Sequence, residues 1–177
     1  MGLDSVRLNN EGVAPLKADL DQLMQISELE HVSYAAALIH MSAGSPLFSM
    51  GVGADLLDSN INTLYAGQSG LGMGNRDYYL DEENAAKRQG YVEWLTKAFT
   101  LCQIDDAAAS AQKVLEFETK MAKAFRTNVQ LRDVEAGYNP MSKADFVKRY
   151  DAINWDVYFK EMGVGNFEQL IVGEPEV

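Results

Sequence analysis

The chain has 177 residues, 47% apolar and 23% charged. These are the proportions of one folded domain that buries about two-thirds of its unfolded surface. A formal net charge of −11 argues against a nucleic-acid partner, because a polyanion is bound by a basic surface that releases counterions. No apolar run reaches the ~20 residues that cross a bilayer, and the single cysteine, Cys102, excludes a disulfide within the chain.

The opening Met1–Val6 has no charged region followed by an apolar core, so it reads as the interior of a longer protein and not as a signal peptide. Val13, Leu16, Leu20, Leu23 and Met24 recur at spacings of three and four, which predicts a helix with one buried face. Pro15 fits only its first turn. Ser27 and Glu30 form a capping-box pattern for a second helix through Leu29, Val32, Ala36, Ile39 and His40, closed by Gly44-Ser45-Pro46. Leu47–Met50 and Thr63–Ala66 suit the two strands of a small hairpin turning at Asp58-Ser59-Asn60, with a glycine-rich loop after it. Two long helices follow, one over 82–103 with Tyr91, Leu95, Ala98, Phe99 and Cys102 inward, and one from the Asp105-Asp106 start to about Arg126 with Ala111, Val114, Leu115, Glu118, Met121, Ala122 and Phe125 inward. Their short connection makes them an antiparallel pair. Shorter helices are expected over 142–150 and 155–162, and Leu170-Ile171-Val172 suits an isolated strand. The fold class is mainly α with minor β.

The residues that carry chemistry are few. A zinc hydrolase of the H-E-x-x-H type needs two histidines one helical turn apart on one metal. The only histidines, His31 and His40, are nine apart and neither precedes a glutamate. Glu28-Leu29-Glu30-His31 has the E-x-x-H spacing of a di-iron half-site, but Ala37 stands where the second half-site would need its acid, so an exposed acidic helix start is the plainer reading. Gly70-Leu71-Gly72-Met73-Gly74 lacks the Lys-Ser/Thr of a phosphate loop and reads as a structural turn. Cys102 reads as a buried thiol. The acidic pairs Glu82-Glu83 and Asp105-Asp106 suit helix starts, where negative charge opposes the macrodipole. From chemistry alone the chain is an acidic, mainly helical domain without a recognisable active site.

The stretch Gln68–Leu80 resembles a signature of the neprilysin-like zinc endopeptidases, a Gly-Leu-Gly-Leu-Pro segment followed by Arg-Asp-Tyr-Tyr. Met73 replaces its second leucine and Gly74 its proline, which implies a looser turn. Gly12–Leu16, Gly51–Asp55, Tyr138–Ser142 and Ile153–Trp155 are similar to further family segments, in the family's order. The bacterial oligoendopeptidase O type, which lacks disulfides, is nearest in character. The resemblance implies that residues 1–177 are one fragment of an N-terminal helical domain, a non-catalytic lid that encloses the active site so that only short peptides enter. It implies that the zinc and its ligands belong to a catalytic domain absent from this chain. The partners it implies are that domain and the peptide substrates, and the location it implies is secreted, periplasmic or envelope-bound in a bacterium. No catalytic, cofactor-binding or metal residue carries over. Gly70, Gly72, Arg76, Asp77, Tyr78, Tyr79, Tyr138 and Asn139 carry over as architecture, with Asp77 as cap of the following helix and Tyr78 and Tyr79 as loop anchors. The alternative is a free-standing helical interaction protein that shares only the lid fold.

Overall fold

The computed structural model describes residues 4–42 and 44–177; Met1–Leu3 and Ala43 lie outside the described residues. The apolar run at the end of the chain is a fully buried strand, β4 (Gln169–Val172), with Leu170, Ile171 and Val172 all within 3% of complete burial. It is not isolated. It lies inside a four-stranded sheet formed with β1 (Phe48–Ala54), β2 (Asn62–Gln68) and β3 (Asn139–Ser142), in the order β1-β2-β4-β3. β1 and β2 form the expected hairpin, antiparallel with Phe48 opposite Gln68 and Ala54 opposite Asn62. β2 runs parallel to β4, with Tyr65 opposite Ile171, and β3 runs antiparallel to β4. A continuous apolar strand is what burial on both faces demands. β3 was not anticipated; it holds Pro140, a residue that sheets accept at an edge.

Helices α1 (Ser5–Glu11), α2 (Lys17–Leu23), α3 (Leu29–Ser42), α4 (Asp77–Leu80), α5 (Ala85–Leu101), α6 (Ala107–Ala124), α7 (Lys143–Arg149) and α8 (Trp155–Glu161) complete the fold. It is mainly α with minor β. α3 and α8 pack together, and the core gathers Ala36 and Ala37 of α3, Leu64 and Ala66 of β2, and Phe146, Trp155, Tyr158 and Phe159 of α7 and α8. Short helices this deep need fixed starts. Ser142 Oγ accepts from Asp145 N–H at 3.1 Å to open α7, and Asn154 Oδ1 accepts from Val157 N–H at 3.2 Å to open α8. Asn154 N–H also donates to the buried Ser33 Oγ at 2.8 Å, tying α8 to α3.

α5 and α6 form the expected antiparallel pair. A 3₁₀ turn over Glu82–Asn84 replaces the first turn foreseen for α5. Every residue placed on the inner face of α6 is buried or half-buried. The first helices differ from expectation. Pro15 lies in a 3₁₀ turn, Ala14–Leu16, and no residue of α1 or α2 is buried. The stripe of Leu16, Leu20 and Leu23 lines, with Tyr34 and Leu38 of α3, an open apolar cleft of about 550 Å³. The stripe has the right period, but nothing in the described chain closes over it.

Ile171 is fully buried, on the sheet face opposite Leu170 and Val172. Ile171→Ala should lower stability by about 2–5 kcal/mol in urea unfolding, whereas Leu16→Ala, 53% exposed, should change it by less than about 0.5 kcal/mol.

Candidate functional site

The glycine-rich loop between β2 and α4 is folded around one buried carboxyl group. Glu118, on the inner face of α6 and 8% exposed, accepts on Oε1 from Gly72 N–H at 3.3 Å and from the Tyr91 hydroxyl at 3.1 Å. On Oε2 it accepts from the Tyr79 hydroxyl at 2.7 Å. The Tyr79 oxygen in turn accepts from Met73 N–H at 2.8 Å. Burial, reinforced by the Glu118 charge and hydrogen bonds, holds the hydroxyls of Tyr79 and Tyr91 well above the usual tyrosine range. Both are therefore fixed as donors across the working pH range.

The loop glycines have different reasons to be glycine. Gly70 has φ +98°, and a Cβ there would lie 2.4 Å from the Pro46 carbonyl oxygen. At Gly72 a Cβ would lie 2.0 Å from the Tyr91 hydroxyl. The first position is closed by backbone shape and the second by the Glu118 cluster.

The rest of the signature is pinned residue by residue. Arg76 Nε donates to the Ala122 carbonyl at 3.1 Å, one helical turn beyond Glu118. Asp77 is the first residue of α4 and not its cap, a position held by Arg76 without a side-chain bond; Asn75 Oδ1 accepts from Asp77 N–H at 3.0 Å. Asp77 also pairs with Arg76 at 3.6 Å. The Tyr78 carbonyl accepts from Arg88 Nη1 at 3.0 Å, and Lys87 Nζ sits 4.0 Å from the centre of its ring. Tyr138 and Asn139 belong to a second group, joined to the first by no hydrogen bond or ring contact among the described residues. The Tyr138 hydroxyl lies 3.0 Å from both oxygens of Asp55. The N–H groups of Leu57, first, and Asp58, with that hydroxyl, hold Asp55 below its ordinary value of 3.8, against burial. Asn139 Nδ2 donates to the carbonyls of Ala136 and Val172 at 2.9 and 3.0 Å.

A third cluster was not foreseen. Gln68 exchanges two hydrogen bonds with the backbone of Arg126. The Arg126 guanidinium donates to the carbonyls of Ala136 and Gly173 and makes a two-pronged contact with Glu176. That contact raises Arg126 and lowers Glu176 from their ordinary values. Glu174 accepts from Gln68 N–H at 2.7 Å, and the Pro175 carbonyl accepts from Arg149 and Tyr150. Periodicity is silent about such contacts, since their partners lie from 10 to 106 residues apart and in no common helix or strand.

None of these groups is arranged to bind a metal. Among the described residues, no three His, Cys, Asp or Glu side chains stand close enough to hold one. His31 is exposed with Glu28 at the start of α3. His40 lies between Phe48 and Tyr158, with Nε2 2.7 Å from the Phe48 carbonyl oxygen and Nδ1 2.7 Å from the Tyr158 hydroxyl. A carbonyl only accepts, which places the hydrogen on Nε2 and leaves Nδ1 to the tyrosine. Both nitrogens are engaged. Cys102 is half-buried. No helix among the described residues is long and apolar enough to cross a membrane.

Two outcomes follow from this chemistry. Gly72→Ala should destabilise by about 1–3 kcal/mol, and by clearly less in a Tyr91→Phe background, which removes the nearest clashing atom. Asp55 has a lowered folded pKa, so its contribution is present above pH 3.8 and is lost as pH falls through the folded value. Asp55→Asn should be less stable than the native chain at pH 7, and the gap should narrow on acidification, as read by thermal melts.

Residues 1–177 match the model of peptidase family M13. Endothelin-converting enzyme 1 of Cavia porcellus is 33% identical over 130 residues, 69% of this chain and 17% of the relative. The Mycobacterium tuberculosis zinc metalloprotease Zmp1 is 26% identical over 98% of this chain. Its open state matches with a TM-score of 0.88 and its inhibitor complex with 0.89, covering 28% and 27% of those chains. PepO of Lactobacillus rhamnosis shares the fold at 19% identity and a TM-score of 0.78. The chain thus spans about a sixth of its curated relative and just over a quarter of these solved chains. With the Gly70–Tyr79 loop built around Glu118 and a match along its whole length, the chain belongs to peptidase family M13.

Proposed function

We propose that this chain is a non-catalytic portion of a zinc metalloendopeptidase, a fragment of its N-terminal helical domain that acts as a lid and admits short peptides to a zinc site carried elsewhere. The observation that carries the reading is the fate of the histidines. In a family of zinc proteases, His40 is committed on both nitrogens to the core and His31 stands alone on an exposed helix start. The cleft between α2 and α3 supports it, because an apolar stripe without a cover suits a body that lies against another domain. The existence of an open state of the related Zmp1 supports gating. The signature residues Gly70, Gly72, Arg76, Asp77, Tyr78, Tyr79, Tyr138 and Asn139 then act as scaffold, fixing loops on α6 and on the sheet.

Peptide hydrolysis separates the possibilities. The purified chain, with zinc supplied, should show no cleavage of short peptides. A longer protein that contains it should cleave them, and lose that activity to a chelator. Chelator-sensitive cleavage by the 177-residue chain would overturn the proposal.

A further inference from the structure

Glu118 has hydrogen-bond donors at both oxygens and a cation at neither. Its partners among the described residues are Gly72 N–H, the Tyr91 hydroxyl and the Tyr79 hydroxyl, and it takes part in none of the ion pairs there. The groups that face it are thus Tyr79 of α4, Tyr91 of α5 and the loop backbone. Beside it, across a shallow groove, stands the apolar Ile39 of α3. Arg76, the one cation of the loop, is engaged elsewhere, with the Ala122 carbonyl and with Asp77. On α6 itself the positions one turn away, Val114, Leu115, Met121 and Ala122, are uncharged.

Only the ionised carboxyl can accept from all three donors at once. A proton on Oε2 would point at the Tyr79 hydroxyl, whose oxygen already accepts from Met73 N–H and whose hydrogen is given to Glu118. A proton on Oε1 would leave that oxygen able to accept from only one of Gly72 and Tyr91. Hydrogen bonds to a charged group are also about twice as strong as neutral ones. Loss of the charge therefore weakens the whole set. The longest member, from Gly72 N–H at 3.3 Å, is the first to part.

The piece held this way is small and bounded. Gly70 and Gly74, with φ +98° and +81°, flank it, and Gly74 N–H closes a turn on the Leu71 carbonyl at 2.8 Å. Gly70 is wedged against Pro46, whereas a Cβ at Gly74 would meet nothing within 4 Å, so the second joint has room to turn. Behind it, α4 keeps ties of its own. Asn84 Nδ2 donates to the Asp77 carbonyl at 3.2 Å, and Arg88 Nη1 donates to the Tyr78 and Asp81 carbonyls at 3.0 and 2.7 Å. None of these uses Glu118. We propose that residues 71–73 form a flap latched by the charge of Glu118. The ionised carboxyl holds the flap down, and protonation lets it turn about Gly74 while α4 and the α5–α6 pair stay in place. The latch stands apart from the proposed peptidase role and is measured without hydrolysis.

The test reads amide hydrogen exchange by nuclear magnetic resonance on the isotopically labelled chain, first at neutral pH. Glu118→Gln keeps the shape of the side chain but turns one acceptor oxygen into a donor. Protection of the Gly72 and Met73 amides should fall about tenfold or more in this variant. The amides of Asp81, bonded within α4, and Phe125, at the end of α6, should keep theirs. In the native chain, Gly72 and Met73 should lose protection along the titration of the Glu118 carboxyl carbon, and Glu118→Gln should lack that step. Full protection of the two amides in Glu118→Gln, or an acid step that survives in it, would overturn the proposal. So would loss of the Asp81 and Phe125 amides together with the loop, in the variant or in acid, since Glu118 would then hold the whole fold and not a flap.

Discussion

A carboxyl group taken out of water must have its lone pairs filled, or the fold loses several kcal/mol. Glu118 meets that demand by drawing on three separate parts of the chain: the backbone at Gly72, the side chain of Tyr91 on α5 and that of Tyr79 on α4. The glycine-rich loop, the short helix and the long helical pair are therefore not free to settle independently. The absence of a side chain at Gly72 belongs to the same constraint, because that space is already filled by the Tyr91 hydroxyl. Arg76 extends it by a turn of α6, binding the Ala122 carbonyl.

The opposite end of the chain is organised by a different means. Arg126 follows α6, and its guanidinium collects two carbonyls and one carboxylate from segments that share no regular structure. The Glu176 contact is partly exposed, and such an ion pair contributes little by itself. The value of the arrangement is geometric. The turn at Ala136 and the residues after β4 converge on that planar donor, while Gln68 at the end of β2 holds the backbone of the same residue, so the sheet is tied to the end of the helical pair.

Much of this was legible in the sequence where partners are close. The faces of α5 and α6, the β1–β2 hairpin and α8 come from periodicity and from turn and cap residues within a few positions. The place of β4 was not legible, because Ile171 pairs with Tyr65 more than 100 residues earlier and an apolar run carries no address. The stripe on α2 was read as buried because period reports which face is apolar, not whether a cover is present. At the loop, resemblance located the signature but assigned a cap to Asp77, which is the first residue of α4 with its own N–H held by Asn75. Glu118 carried a usable signal: a single acid in the middle of an apolar face implies donors waiting for it.

The bare first helices bear on how the molecule melts. Since α1 and α2 bury no residue, their order is coupled only weakly to the core, and they form a separate cooperative unit of low stability. Both tryptophans, Trp94 and Trp155, lie outside that unit. Fluorescence would record a single transition while far-ultraviolet circular dichroism began to decline earlier, and a two-state fit to either signal alone would misstate the energetics of the whole.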